Sequence, residues 1–116
     1  VSANNRAKKF EKNAGNLDSR KQGFKIHHFV RALQPYPLAF GFLNRVRINI
    51  YKVSPQRGQR PVARFGSIVA IEKDALRVAC GDGTVLIHEL QPENKRRMTA
   101  AEFINGYKPK VGDLFA

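Results

Sequence analysis

At 116 residues and 13.1 kDa, the chain is long enough for one domain and too short for two ordinary ones. Its 42% apolar residues fill one modest core. The 26% charged content, with apolar runs far below the ~20 residues of a helical span, argues against a membrane-embedded chain. Lys and Arg number 21 against 9 Asp and Glu, a net charge of +12, and the excess is unevenly placed. Residues 1–60 carry 13 basic side chains and only Glu11 and Asp18 as acids, whereas residues 61–116 carry 8 basic and 7 acidic ones. Such asymmetry points to a polyanion partner. The plain alternative is a basic soluble domain with no such role.

The lone cysteine, Cys80, has no partner for an internal disulfide, which suits a reducing compartment, most simply the cytoplasm. No segment has the form of a signal peptide. The chain opens on Val1, so processing or trimming upstream of it is an expectation.

Residues 1–20 read as a basic leader or linker: Phe10 and Leu17 are its only large apolar side chains, too few to order it alone. Residues 21–116 read as the folded domain. Ile26, Phe29, Val30 and Leu33 stand at i, i+3, i+4 and i+7, which predicts a helix over 20–34 with Asp18 or Ser19 as its cap. Gly23 should weaken the first turn, and Gln34-Pro35-Tyr36-Pro37 should be a stiff connector.

The period then changes to two. Between Asn44 and Val53, Val46, Ile48 and Ile50 face one way and Arg45, Arg47, Asn49 and Tyr51 the other. Residues 54–61 read as a loop holding Arg57 and Arg60. Strands are predicted at 66–72, 75–80 and 84–90, with turns at Lys73-Asp74 and Gly81-Asp82-Gly83, making an antiparallel meander. Thr99 and Glu102 form a Thr-x-x-Glu capping box, Met98 can staple to Phe103, and Gly106 can end the helix, which predicts a helix over 100–105. Residues 111–115 return to an apolar pattern and suggest a last short strand. The fold class is therefore mainly β: a small OB-like Greek-key barrel with an N-terminal helix and a short helix near the C-terminus.

No phosphate-binding glycine loop or nucleophile elbow is present. Cys80 belongs with Leu76 and Val78 on the inward strand face, where a buried structural thiol is expected. His27 and His28 are adjacent on a helix and point apart, His88 stands alone in a strand, and no metal site is expected. Asp82, Glu89, Glu93 and Glu102 have ordinary duties in turns and caps, and no catalytic residue stands out. Cations beside an aromatic on a strand face suit phosphate contact and stacking. The candidate RNA-binding residues are accordingly Arg6, Lys8, Lys9 and Lys12 on the leader, Arg45, Arg47 and Tyr51 on the strand, and Arg57 and Arg60 in the loop. Lys95-Arg96-Arg97 reads as a separate basic run beside the capping box, in keeping with a solvated turn.

Several segments are more specific than these patterns. Gly-Ser-Ile-Val-Ala-Ile at 66–71, Val-Ala-Cys-Gly-Asp-Gly at 78–83 and Glu-Leu-Gln-Pro-Glu-Asn-Lys-Arg-Arg-Met-Thr-Ala-Ala-Glu-Phe at 89–103 resemble the C-terminal domain of the bacterial methionyl-tRNA formyltransferase family. Val-Arg-Ala-Leu-Gln-Pro-Tyr-Pro at 30–37 is similar to a further motif of that domain, with Tyr36 in place of Trp. The stretch from Ala7 to Lys12, followed by Leu17-Asp18, looks like part of the family's interdomain linker, with Ser19 in place of Trp and Asn13-Ala14 in place of an acidic pair.

The resemblance implies an OB-like barrel that helps hold initiator Met-tRNA while an N-terminal Rossmann-like domain formylates its amino group from 10-formyltetrahydrofolate. Lys9 and Lys12 match the linker lysines by position. The family's formyl-transfer residues belong to that other domain and have no counterpart here, so this chain alone is expected to bind no cofactor and to be inactive. Two other readings stay open. One is a docking barrel of the kind sugar formyltransferases carry, which binds no RNA. The other is a stand-alone OB-like protein that binds nucleic acid without preference for tRNA.

Overall fold

The computed structural model describes residues 16–35, 38–59 and 61–115; Arg6, Lys8, Lys9, Lys12 and Arg60 lie outside these, as do Tyr36 and Pro37 of the connector. The helix predicted over 20–34 is α1, Gly23–Ala32, with Ile26 and Val30 buried and Phe29 and Leu33 packed at the margin of the core. Neither expected cap serves it. Its N-cap is Gln22, which gives no side-chain bond. Asp18 Oδ1 accepts instead from the Arg20 backbone N–H at 3.1 Å and from Arg20 Nε at 3.0 Å. The Gly23 N–H donates to Asp82 Oδ1 at 2.8 Å, so an acceptor 59 residues along the chain satisfies one of the helix's orphan donors.

Gly23 itself does more than weaken the first turn. A Cβ there would lie 2.9 Å from Pro55 Cβ and 3.5 Å from Val85 Cγ1. Its missing side chain lets α1 press against the sheet. The Gln34–Pro35 peptide bond after the helix is cis.

Five main strands follow: β1 (Ala39–Leu43), β2 (Val46–Arg57), β3 (Ile68–Glu72), β4 (Ala75–Cys80) and β5 (Gly83–Pro92). A short sixth, β6 (Met98–Thr99), pairs with β5 and leads into α2 (Ala100–Tyr107). The spatial order is β1-β2-β5-β4-β3, antiparallel throughout. The meander β3-β4-β5 is as expected. The long strand β2 lies beside β5 rather than β3, which is a Greek-key arrangement.

Two strand expectations need correction. Strand β1 has no counterpart in the alternation pattern, and its pairing with β2 turns Asn44 and Arg45 into a tight hairpin with φ of 52° and 70°. Left-handed backbone at both central residues matches the right-handed twist of the flanking strands. The stretch 54–57 is not loop but the far half of β2, with Pro55 opposite Val85 and Arg57 opposite Gly83. Beyond Ile50, β2 has lost β1 as its neighbour, and a strand paired on one side only tolerates proline.

Midway along β2 and β5 the register slips twice. Ile50 faces Leu90, Lys52 faces Glu89 and Val53 faces Ile87. Each strand thus carries one extra residue, Tyr51 on β2 and His88 on β5. These bulges keep Ile50, Val53, Ile87 and Leu90 in the core and leave Lys52 exposed between half-buried Tyr51 and buried Val53.

The capping box of α2 is formed as read from the sequence. The Glu102 N–H donates to Thr99 Oγ1 at 3.2 Å, and the Thr99 N–H donates to Glu102 Oε1 at 3.0 Å. The helix runs past Gly106 to Tyr107, and the left-handed residue is Lys108, φ 50°, whose N–H bonds the Ile104 carbonyl at 3.0 Å. Phe103 anchors α2 in the core and stacks on Tyr107 with ring centroids 4.7 Å apart.

The tail then joins both ends of the sheet. Phe115 bridges Leu43 of β1, and Leu114 bridges Ser67 just before β3. The Ile68 N–H donates to the Asp113 carbonyl and the Phe115 N–H to the Gly66 carbonyl, each at 2.8 Å. Gly66 has φ 90°, and a Cβ there would lie 2.4 Å from the Phe115 oxygen, so only glycine admits this approach. The core lies between the curled sheet and the two helices, with Cys80, Leu76 and Val78 inside it as predicted.

Candidate nucleic-acid interface

The alternation in β2 places Arg47, Asn49 and Tyr51 on the outer face, half-buried, opposite the core-facing Ile48 and Ile50. Arg45 is not on that face: it sits exposed in the β1–β2 hairpin. The pairing of β1 with β2 brings two phenylalanines to the same outer surface. The Arg47 guanidinium carbon lies 3.9 Å from the Phe40 ring centroid, and Phe42 meets Phe40 edge-on at 5.7 Å. Phe40 is buried beneath this cover and Phe42 is 40% exposed.

Tyr51 is less open than the sequence implied. The Arg97 guanidinium carbon lies 4.3 Å from its ring centroid, and its hydroxyl donates to Gln91 Oε1 at 3.2 Å. Arg97 Nε also donates to Glu89 Oε1 at 3.0 Å. Lys95 and Arg96 stay exposed in the turn as expected, but the β5–β6 connection carries Arg97 of that run onto the strand face. Each such cation–ring contact contributes about 0.5–1 kcal/mol at a partly exposed site. Asn49 Nδ2 donates to Gln91 Oε1 at 3.1 Å, while Asn49 Oδ1 is buried with no partner among the described residues. Arg47 keeps its guanidinium free of any carboxylate partner among the described residues.

Arg57 ends β2, largely exposed, with Nε 3.9 Å from Asp82 Oδ2. That separation and exposure make the pair worth at most a few tenths of a kcal/mol. The structure thus unites Arg47 and Tyr51 on one face, with Arg45 at its hairpin end and Arg57 at the other end of the strand. His88, read from sequence as solitary, has its Nε2 2.8 Å from Ser54 Oγ across the β2–β5 pair. Cross-strand pairing alone would have revealed this contact, because residues 54 and 88 share no local pattern. Cys80 is buried, and desolvation pushes its thiol above the ordinary cysteine range. That is the opposite of what a nucleophile requires.

A family model described as formyl transferase, C-terminal domain, matches residues 9–108. The chain belongs to that family. The methionyl-tRNA formyltransferase of Geotalea uraniireducens (strain Rf4) is 36% identical over 104 residues, which is 90% of this chain and 32% of that protein. That of Leptospira interrogans serogroup Icterohaemorrhagiae is 38% identical over 101 residues, 85% of this chain and 32% of that protein. This formyl transferase C-terminal domain spans about a third of the length of the curated relatives it matches. Among solved structures, HypX from Aquifex aeolicus in complex with tetrahydrofolic acid superposes with a TM-score of 0.68. The match has 16% identity and covers 87% of this chain and 18% of that one, a likeness of fold alone.

Proposed function

We propose that this formyl transferase C-terminal domain is a non-catalytic tRNA-binding module of a methionyl-tRNA formyltransferase. In that role it helps hold initiator Met-tRNA while an N-terminal catalytic domain transfers a formyl group from 10-formyltetrahydrofolate to the amino group. The observation that carries this reading is the unpaired charge of the first half of the chain. Lys21, Lys25, Arg31, Arg45, Arg47 and Lys52 have no carboxylate partner among the described residues, in a chain of net charge +12. A docking barrel for a neutral or anionic small-molecule enzyme has no use for such an excess. Relatives that share a third of their sequence with this chain are methionyl-tRNA formyltransferases, which supports tRNA as the polyanion.

The test is a salt titration of tRNA binding. With ~4–6 phosphate contacts the log–log slope of affinity against salt is roughly −3 to −5, and the affinity near micromolar. Initiator and elongator tRNA should differ little, because phosphate contacts carry little sequence information. Replacing Lys9 and Lys12 together by Ala should reduce the slope by about one to two units. Binding that does not respond to salt, or absence of binding, would refute the reading and favour a docking role.

A further inference from the structure

A second basic surface adjoins the Tyr51 end of the Arg47–Phe40 face. Between α1 and the bulged part of β2 runs an open cleft of about 380 Å³, lined by His27, Val30, Arg31, Gln34, Tyr51, Lys52, Val53 and Ser54. No carboxylate is among its lining residues, and Arg31, Lys52 and Ser54 supply its free donors. Arg31 and Lys52 are exposed and have no ion-pair partner among the described residues. They come from opposite walls, one from the last turn of α1 and the other from the bulge that turns Lys52 outward.

The walls are fixed to each other. Gln34 Nε2 donates to the Tyr51 carbonyl at 2.6 Å and to the Val30 carbonyl at 3.3 Å, tying the end of the helix to the bulge. Ser54 Oγ, also in the lining, is held by His88 Nε2 at 2.8 Å. When His88 carries its proton on Nε2 it donates to Ser54, and the serine hydroxyl hydrogen is free to turn into the cleft.

The neighbouring cleft sharpens the contrast. It shares Lys52 and Ser54 but adds Asp74 and Glu89, which repel an anion. Lys52 and Ser54 thus form a ridge with an acid-free cleft on one side and an acidic one on the other.

We infer that the α1–β2 cleft is a phosphate-binding site for the nucleic-acid backbone, with Arg31 and Lys52 as the paired cations and Ser54 as a neutral donor. The inference rests on the tRNA-binding reading and extends it to residues outside the hairpin face and the leader. Two cations on opposite walls of an open cleft clamp one phosphodiester. A phosphodiester also fits better than a buried anion, since the cleft is open along its length and admits a continuing chain.

The experiment compares three forms of the 116-residue chain for initiator tRNA binding over a range of salt: the unmodified protein, the Arg31→Gln/Lys52→Gln double variant, and a charge-matched Lys108→Gln/Lys110→Gln control from the segment after α2. All four positions are exposed, and equal thermal midpoints will confirm intact folds. The cleft variant should bind ~10-fold more weakly at 0.1 M salt with the slope reduced by about two units, the control remaining like the unmodified protein. If the unmodified protein binds no tRNA, the RNA reading itself is overturned. If it binds and the cleft variant matches it, or the control loses as much, the cleft assignment alone is overturned. Inorganic phosphate supplies a further arm: shifts of the Lys52 and Ser54 amide resonances at millimolar phosphate, with tRNA affinity unchanged in the cleft variant, would assign the cleft to free anions instead.

Discussion

Gly23→Ala tests how closely α1 is seated. In an isolated helix the exchange stabilises by about 0.5–1 kcal/mol, because alanine has less backbone freedom to lose. Here the new Cβ lies 2.9 Å from Pro55 Cβ and 3.4 Å from Pro55 Cα, both parts of a ring that no rotamer change can move aside. Relieving that contact means lifting the helix or bending β2, an overpacking cost of typically 1–3 kcal/mol. The steric effect wins, leaving a net loss of about 0.5–2 kcal/mol. For a chain of this size each kcal/mol lowers Tm by roughly 3–6 °C. Gly106→Ala is the internal control: it sits in α2, and beyond its own stretch of helix a methyl group added there would meet none of the described residues within 4 Å, so it should gain a few tenths to about 1 kcal/mol. Calorimetry or urea denaturation of the two variants reads opposite signs from the same chemical change. If Gly23→Ala stabilises as much as Gly106→Ala, the helix does not press on Pro55 as described.

Thr99→Ala removes the acceptor for the Glu102 N–H and should cost ~1 kcal/mol; an unchanged denaturation midpoint would place the start of α2 elsewhere. The Cys80 thiol, 1% exposed and raised by burial, should react slowly with a thiol reagent until denaturant is added. Rapid stoichiometric labelling of the native protein would contradict that. Asp18 is held below the ordinary carboxylate range, chiefly by the Arg20 side-chain hydrogen bond. Its folded value being the lower one, any stability it lends exists at neutral pH and fades as pH falls through that value. Arg20 is so exposed that the effect on stability is small, but Arg20→Gln should raise the Asp18 titration seen by carboxyl NMR, and no movement would refute the pairing.

The sequence is most legible where a local pattern matches a local structure. Alternation locates Ile48 and Ile50 on the inward face of β2, though Val46 at its start is exposed, the turn residues bound β4, and the spacing of Thr99 and Glu102 locates α2. Strand β1 escapes because Ala39, Phe40 and Gly41 are buried in succession, erasing the period of two. Phe40, on the outer side, is covered by Arg47, a contact made only once the hairpin has formed. Pro55 and Ser54 disguise the far half of β2 as a loop because their turn chemistry is read without knowledge of which strand edge is paired. The cap of α1 is hidden for a related reason: Asp18 and Ser19 are near in sequence, but the acceptor used is Asp82. Among the candidate binding residues, Arg47 and Tyr51 share a face as the spacing implies. The presence of Arg97 above Tyr51 depends on the β5–β6 connection, which no spacing encodes.

The tail's position between β1 and β3 has a consequence for self-association. An open sheet offers two rows of unpaired backbone groups to any passing strand. Here one short segment covers parts of both rows, since Phe115 pairs toward Leu43 while Leu114 and Asp113 pair toward Ser67 and Ile68. Loosening of this single segment would therefore uncover the start of β3 and the Leu43 end of β1 together, while the Leu17 N–H still holds the Phe40 carbonyl, so the β3 edge is the one left open to strand addition by another molecule.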